Sequence, residues 1–167
     1  MAKSNGIKGL HHNAYRCRDS EETRKFYEDF LGLPLAETLE IGETKSGRET
    51  ETLHTFYRMG DGSYLAFFEA SDMTFRFKKQ KDFDLHIALE VDQTTLKRMF
   101  KKGKETGIDT RGIADHSFLH SIYFRDPNGY VIELTAKQPG HGAAMNPARN
   151  RARVKLESWQ KAKALDK

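Results

Sequence analysis

His12, His86 and Glu133 are the residues whose types and places suit work with a bound cation. His12 and His86 lie in the strand-like stretches 10–17 and 84–91, and each is followed two residues on by an alanine. Glu133 follows Tyr130-Val131-Ile132 and precedes Leu134. A carboxylate in so apolar a run is costly to bury unless a cation or metal meets it. Two imidazoles and one carboxylate on one side of an ion form a facial triad, suited to Fe(II) with open coordination positions. A single strand histidine is more often structural, but two at matching places beside an out-of-place carboxylate favour the ligand reading. His11 competes with His12. Adjacent strand residues face opposite ways, and the match to His86 selects His12. Glu69 is a further candidate, as a fourth ligand or a base, although a charged strand end explains it equally well.

The elements that must position these residues repeat. A strand at 10–17 is followed by a helix capped by Asp19 or Ser20, with Glu21 and Glu22 in its first turn. Phe26, Phe30 and Leu31 give that helix its inner face, and Gly32 ends it. Residues 33–38 start the next strand, residues 40–51 form a loop or mobile hairpin, and stretches 53–59 and 63–70 pair around Gly60-Asp61-Gly62. The second unit runs strand 84–91, helix 94–105 with Leu96, Met99 and Phe100 inward, Gly107, then strands 110–113, 119–125 and 130–135. Overlaying the halves sets Tyr64 against Tyr130, so Phe67 stands where the second half has Glu133. The spacing gives an α+β chain of two tandem βαβββ modules, about 7–70 and 83–137. Residues 71–83 link them. After the breaker run Gln138-Pro139-Gly140-His141-Gly142, Pro147 opens a C-terminal helix in a basic tail, 138–167.

Composition narrows the classes. At 37% hydrophobic and 31% charged residues the 167-residue chain reads as soluble, with no transmembrane run and no apolar signal core in its first residues. Its one cysteine, Cys17, excludes an internal disulfide framework and suits the cytoplasm. The net charge of +4 sits in the tail, where residues 146–167 hold seven basic side chains against two acidic ones. It is therefore read as a solvated or docked helix, contributing to a homodimer contact through Trp159, and not as a nucleic-acid or membrane surface.

Gly9-Leu10-His11-His12, the run Phe26 to Leu33 and Asp126-Pro127-Asn128-Gly129-Tyr130-Val131-Ile132-Glu133 resemble the vicinal oxygen chelate superfamily, which includes glyoxalase I, bleomycin- and fosfomycin-resistance proteins and type I extradiol dioxygenases. The resemblance covers about residues 7–137. It implies paired modules forming a U-shaped mixed sheet around a divalent metal held by His12, His86 and Glu133. Within the superfamily, His116, Ile122-Tyr123, the acid-Pro-x-Gly turn and Glu133 resemble the extradiol dioxygenase signature, with a departure at Ala114. That implies Fe(II)-dependent cleavage of a catechol-like diol by O2, with His116 and Tyr123 bonded to the diol and Phe56, Phe67 and Phe118 walling an aromatic pocket. Those dioxygenases carry a further histidine as base, and none lies between His54 and His86, which leaves Glu69 or His54 to replace it. The alternatives are a glyoxalase- or epimerase-like lyase or isomerase using Ni, Co, Mn or Zn, and a resistance-type ligand-binding or thiol-transferring protein.

Overall fold

Two aspartates start the two helices that cover the sheets. Asp19 accepts a hydrogen bond from the Glu22 N–H and Asp92 one from the Thr95 N–H, each satisfying a helix-end donor. The computed structural model describes residues 6–77 and 81–165. The first five residues, the middle of the 71–83 linker and the last two residues of the basic tail, all parts of the sequence reading, lie outside them.

In the first unit β1 (His12–Arg16) runs parallel to β4 (Tyr64–Ala70), which pairs antiparallel with β3 (Glu49–Arg58), which pairs with β2 (Leu35–Glu43). The second unit repeats the order with β5 (His86–Glu90), β8 (Val131–Lys137), β7 (Leu119–Arg125) and β6 (Thr110–Asp115). The chain is thus an α+β protein of two tandem modules, each a four-stranded mixed sheet. Helix α1 (Ser20–Arg24) continues as a π-helical turn, Lys25–Phe30. That turn brings Tyr27, fully buried beside Phe26 and Phe30, against Phe67 and Tyr57 of the sheet, at centroid distances of 4.6 and 5.5 Å. In the second unit α2 (Gln93–Glu105) buries Leu96, Met99 and Gly103. Gly103 lets the helix approach Phe124 and Thr110 of the sheet closely.

Three expectations are resolved or changed. Of the two forms expected for residues 40–51, a loop or a hairpin, the structure has the hairpin: β2 and β3 extend through them to a turn closed by bonds between Thr44 and Arg48. Every residue of β2 except Ile41 is exposed, so no alternation of burial marks the strand. His11 lies before β1, and its Nδ1 is 2.8 Å from Nδ1 of His12, so the two rings are neighbours and not on opposite faces. The tail is three helices: α3 (His141–Ala144), α4 (Pro147–Asn150) and α5 (Ala152–Leu165). Arg151, at φ 55°, breaks the run that Pro147 opens. Among the described residues no helix is long and apolar enough to cross a membrane.

The turn Asp126–Tyr130 belongs to the first unit although its flanking strands belong to the second. Asp126 accepts from the Tyr27 hydroxyl at 3.0 Å, from N–H and Nδ2 of Asn128 and from the Tyr130 N–H. Asn128 in turn accepts from the Arg18 N–H at 2.8 Å and donates to Thr23 Oγ1. Burial pushes the Asp126 carboxyl above its ordinary range, against the lowering by these donors. Phe77, within the linker, packs on Gly129 and Tyr130.

Candidate metal centre

Strand register decides which side chains share a face, since a shift of one residue reverses it. In the second sheet Glu133 is opposite Ala88 on one side and Tyr123 on the other. His86, two residues before Ala88, therefore projects from the same face, and its Nε2 lies 3.4 Å from Glu133 Oε2. Glu133 is 8% exposed, between apolar strand neighbours. Tyr123 is the cross-strand neighbour of Glu133 on this face, and its phenolic oxygen lies 2.9 Å from His116 Nε2, a hydrogen bond between the two side chains. Burial first, and then the Glu133 charge, raise the Tyr123 hydroxyl above its ordinary value. The second sheet thus carries the row His116–Tyr123–Glu133–His86. His120 faces the other way, 3.8 Å from Asp115.

His12 lies on the first sheet, opposite Tyr64 in register. Its ring meets Phe56 at 5.5 Å and His54 at 6.2 Å between centroids. His54 is opposite Phe68, and the two rings stack 3.6 Å apart, 11° from parallel. The His54 Nδ1 lies 3.0 Å from the Phe67 carbonyl oxygen. That oxygen can only accept, so Nδ1 carries the proton and Nε2 the lone pair. Burial in this aromatic surround lowers the His54 pKa below its ordinary value.

Two candidates point the wrong way. Phe67 is fully buried against Tyr27, on the helix-covered face of the sheet, and walls no pocket. Glu69 shares that face, two residues on, and its Oε2 accepts from the Ser20 N–H at 2.6 Å at the start of α1. Glu69 thus serves as a helix-end acceptor on the face away from His12. The cause is a one-residue slip in the overlay. His12 pairs with Tyr64 but His86 pairs with Val131, so the seat matching Glu133 belongs to Ala66, not Phe67. Phe118 lies in the β6–β7 turn with its ring 6.2 Å from that of His141 in the tail.

His86 and Glu133 supply one imidazole and one buried carboxylate, a donor pair that fits a divalent ion. Among the described residues no three His, Cys, Asp or Glu side chains stand together at metal-binding spacing. The sequence offers His54 only as a replacement for the base, and Tyr64 not at all, as part of the first sheet's face. The alternation from His54 to Phe56 carries the signal, but only the parallel β1–β4 register shows that this parity matches His12.

Residues 9–134 match the family model described as Glyoxalase/Bleomycin resistance protein/Dioxygenase superfamily. No curated protein matches the chain. Among solved structures, the glyoxylase/bleomycin resistance protein/dioxygenase domain from Frankia sp. EAN1pec aligns with a TM-score of 0.65 at 16% identity, covering 80% of this chain and all of that one, 100%. The fosfomycin resistance protein FosX from Listeria monocytogenes, complexed with Mn(II) and sulfate, gives 0.60 at 18%, covering 81% and 98%. An integron cassette protein from the mobile metagenome of Halifax Harbour Sewage Outfall gives 0.56 at 23%, covering 78% and 99%. At these identities the likeness is one of fold.

Proposed function

Because the chain belongs to the glyoxalase/bleomycin resistance protein/dioxygenase superfamily, we propose that it is a divalent-metal enzyme acting on a small molecule that chelates the ion through two neighbouring oxygens. His12, His86 and Glu133 hold the ion. Bound there, a divalent ion supplies Lewis acidity and open coordination positions for the substrate's oxygens. The observation that carries the reading is the His116–Tyr123 hydrogen bond, 2.9 Å from Nε2 to the phenolic oxygen, with Tyr123 directly across the ladder from Glu133. It sets a proton-carrying pair beside a ligand carboxylate. Tyr123 turns its hydroxyl to a substrate oxygen, His116 supports the phenolic oxygen from behind, and Phe56 covers the apolar part of the substrate.

That pair favours extradiol-type chemistry: Fe(II) and O2 acting on a catechol-like diol, the ring carbon–carbon bond beside the diol breaking as both oxygen atoms enter the product. A second reading is favoured by His54, whose neutral imidazole stands on the face of His12. It is metal-assisted proton transfer next to a carbonyl, as in lyases and isomerases using Mn, Ni, Co or Zn; the FosX relative was solved with Mn(II). We take the protein to be a cytoplasmic homodimer, with the mass in solution as the check.

Protein purified without oxygen, assayed for metal and then offered a panel of catechols and of α-hydroxy carbonyl compounds, tests the reading. A coloured ring-cleavage product with Fe(II) and O2 supports the first reaction, and turnover without O2 supports the second. Absence of any bound divalent metal overturns both.

A further inference from the structure

We propose that the tail helix α5 docks on a second copy of this chain, in an acidic cavity of its first sheet; this rests on the homodimer taken above and is independent of the metal reading. Every described side chain of α5 is exposed, Leu156 at 54% and Trp159 at 65%. A helix of 14 residues with no covered face is marginal in water, so its order calls for a partner surface. Lys155, Trp159 and Lys163 recur at four-residue steps and share one stripe, with Leu156 beside it. The stripe is an indole between two ammonium groups. Arg153 and Lys161 add to the helix's positive charge, against Glu157 alone.

The first sheet carries the reverse pattern. Leu53 of β3 pairs with Glu40 of β2 on one side and with Glu69 of β4 on the other. Glu51 stands two residues back on the same strand face. The half-buried leucine is thus ringed by three carboxylates. These four residues line a cavity of about 450 Å³, and none of the described residues lining it is basic. Two of the carboxylates are held in place, Glu69 by the Ser20 N–H and Glu51 by the Ser71 hydroxyl at 2.8 Å, while Glu40 is exposed.

In the docked state the Trp159 indole fills the cavity over Leu53, and Lys155 and Lys163 reach Glu40 and Glu51. An aromatic anchor in a pocket, rimmed by charged pairs, is where interfaces concentrate their affinity. The occupant is a second copy because one chain carries both halves of the contact. In a two-fold pair each protomer gives its helix and receives its partner's, so the contact is made twice. The ten residues of β3 run about 33 Å and α5 about 21 Å, so the helix lies within the strand's length.

Trp159 is the single tryptophan of the chain, and its emission reports the contact directly. The test follows emission and sedimentation of the full chain over a dilution series. We expect blue-shifted emission in the dimer, moving to the red as dilution releases monomers, and a dimer that weakens as salt rises. Lys155→Glu with Lys163→Glu should weaken dimerisation about 100-fold, and so should Glu40→Lys with Glu51→Lys. Combining the four changes should restore it to within about tenfold of wild type. All four positions are exposed, so circular dichroism should show an unchanged fold. A dimer indifferent to both pairs of reversals, a dimer with red emission, or a combined variant no tighter than either pair overturns the inference and leaves the homodimer standing. A wild-type chain that sediments only as a monomer overturns both, whether its emission is red, with the tail free, or blue, with the tail folded on its own chain.

Discussion

The Tyr123 hydroxyl lies 2.9 Å from Nε2 of His116 and across the β7–β8 ladder from Glu133. On the proposed function Tyr123 would serve substrate without holding the ion, so its loss should separate chemistry from metal binding. Tyr123→Phe keeps the ring and its contact with Arg111, 5.8 Å from centroid to guanidinium carbon. We expect turnover to fall about 100-fold, within the usual range for one proton-transfer group, with metal content unchanged. Adding His116→Ala to that variant should cost little more, because the two residues act as a unit. Steady-state kinetics beside metal analysis decides it.

Glu69 and Glu133 make a matched pair of carboxylates with opposite expected fates. Glu69→Gln should keep full metal content and activity, losing only about 0.5 kcal/mol of charge–helix interaction at the Ser20 N–H. Glu133→Gln should lose the metal. Metal loss in Glu69→Gln would contradict the register on which the site is built.

Asp126 gives a pH dependence with a definite sign. Its carboxyl is raised by burial, so the folded protein holds that proton more tightly than the unfolded chain. The stability linked to it is full below the ordinary carboxyl value and is lost as pH rises through the raised one. Between about pH 3 and pH 6 the melting temperature of Asp126→Asn should therefore gain on wild type as pH increases. Asp126→Ala should be worse at every pH, by about 2–3 kcal/mol, because the Tyr27, Asn128 and Tyr130 donors lose their acceptor. Thermal scans across that range read both effects.

Gly103 tests the second sheet's packing. A methyl group there would sit 2.6 Å from Cε1 of Phe124 and press on the Thr110 side chain. Although alanine favours helices, Gly103→Ala should destabilise by about 1–3 kcal/mol through overpacking. Chemical denaturation checks it, and a gain in stability would mean that α2 moves off the sheet freely.

Much of this architecture was legible before any coordinates. Asp19 as helix cap, the positive-φ glycines at 32 and 107 and the whole of β7 follow from local chemistry. The first sheet's working face was not legible. Matching Tyr64 to Tyr130 is the better sequence overlay, yet the parallel ladders pair His12 with Tyr64 and His86 with Val131. One residue of offset turned Phe67 and Glu69 from core and helix cap into apparent site residues, and left His54 as no more than an alternative to Glu69. Parallel register is a long-range property that no short motif encodes.

The Asp126 turn also bears on how such a molecule can be divided. Its sequence lies deep within the second module, but its carboxylate serves Tyr27, and Asn128 serves Arg18 and Thr23. A gene cut between residues 85 and 86 would therefore deprive the first module of a hydrogen-bonding hub encoded forty codons downstream. The other fragment would expose a carboxylate whose phenol had gone. Recombination, split-protein reporters and domain swaps should thus fail at the boundary the duplication suggests, since the first half is completed by a segment of the second half's chain.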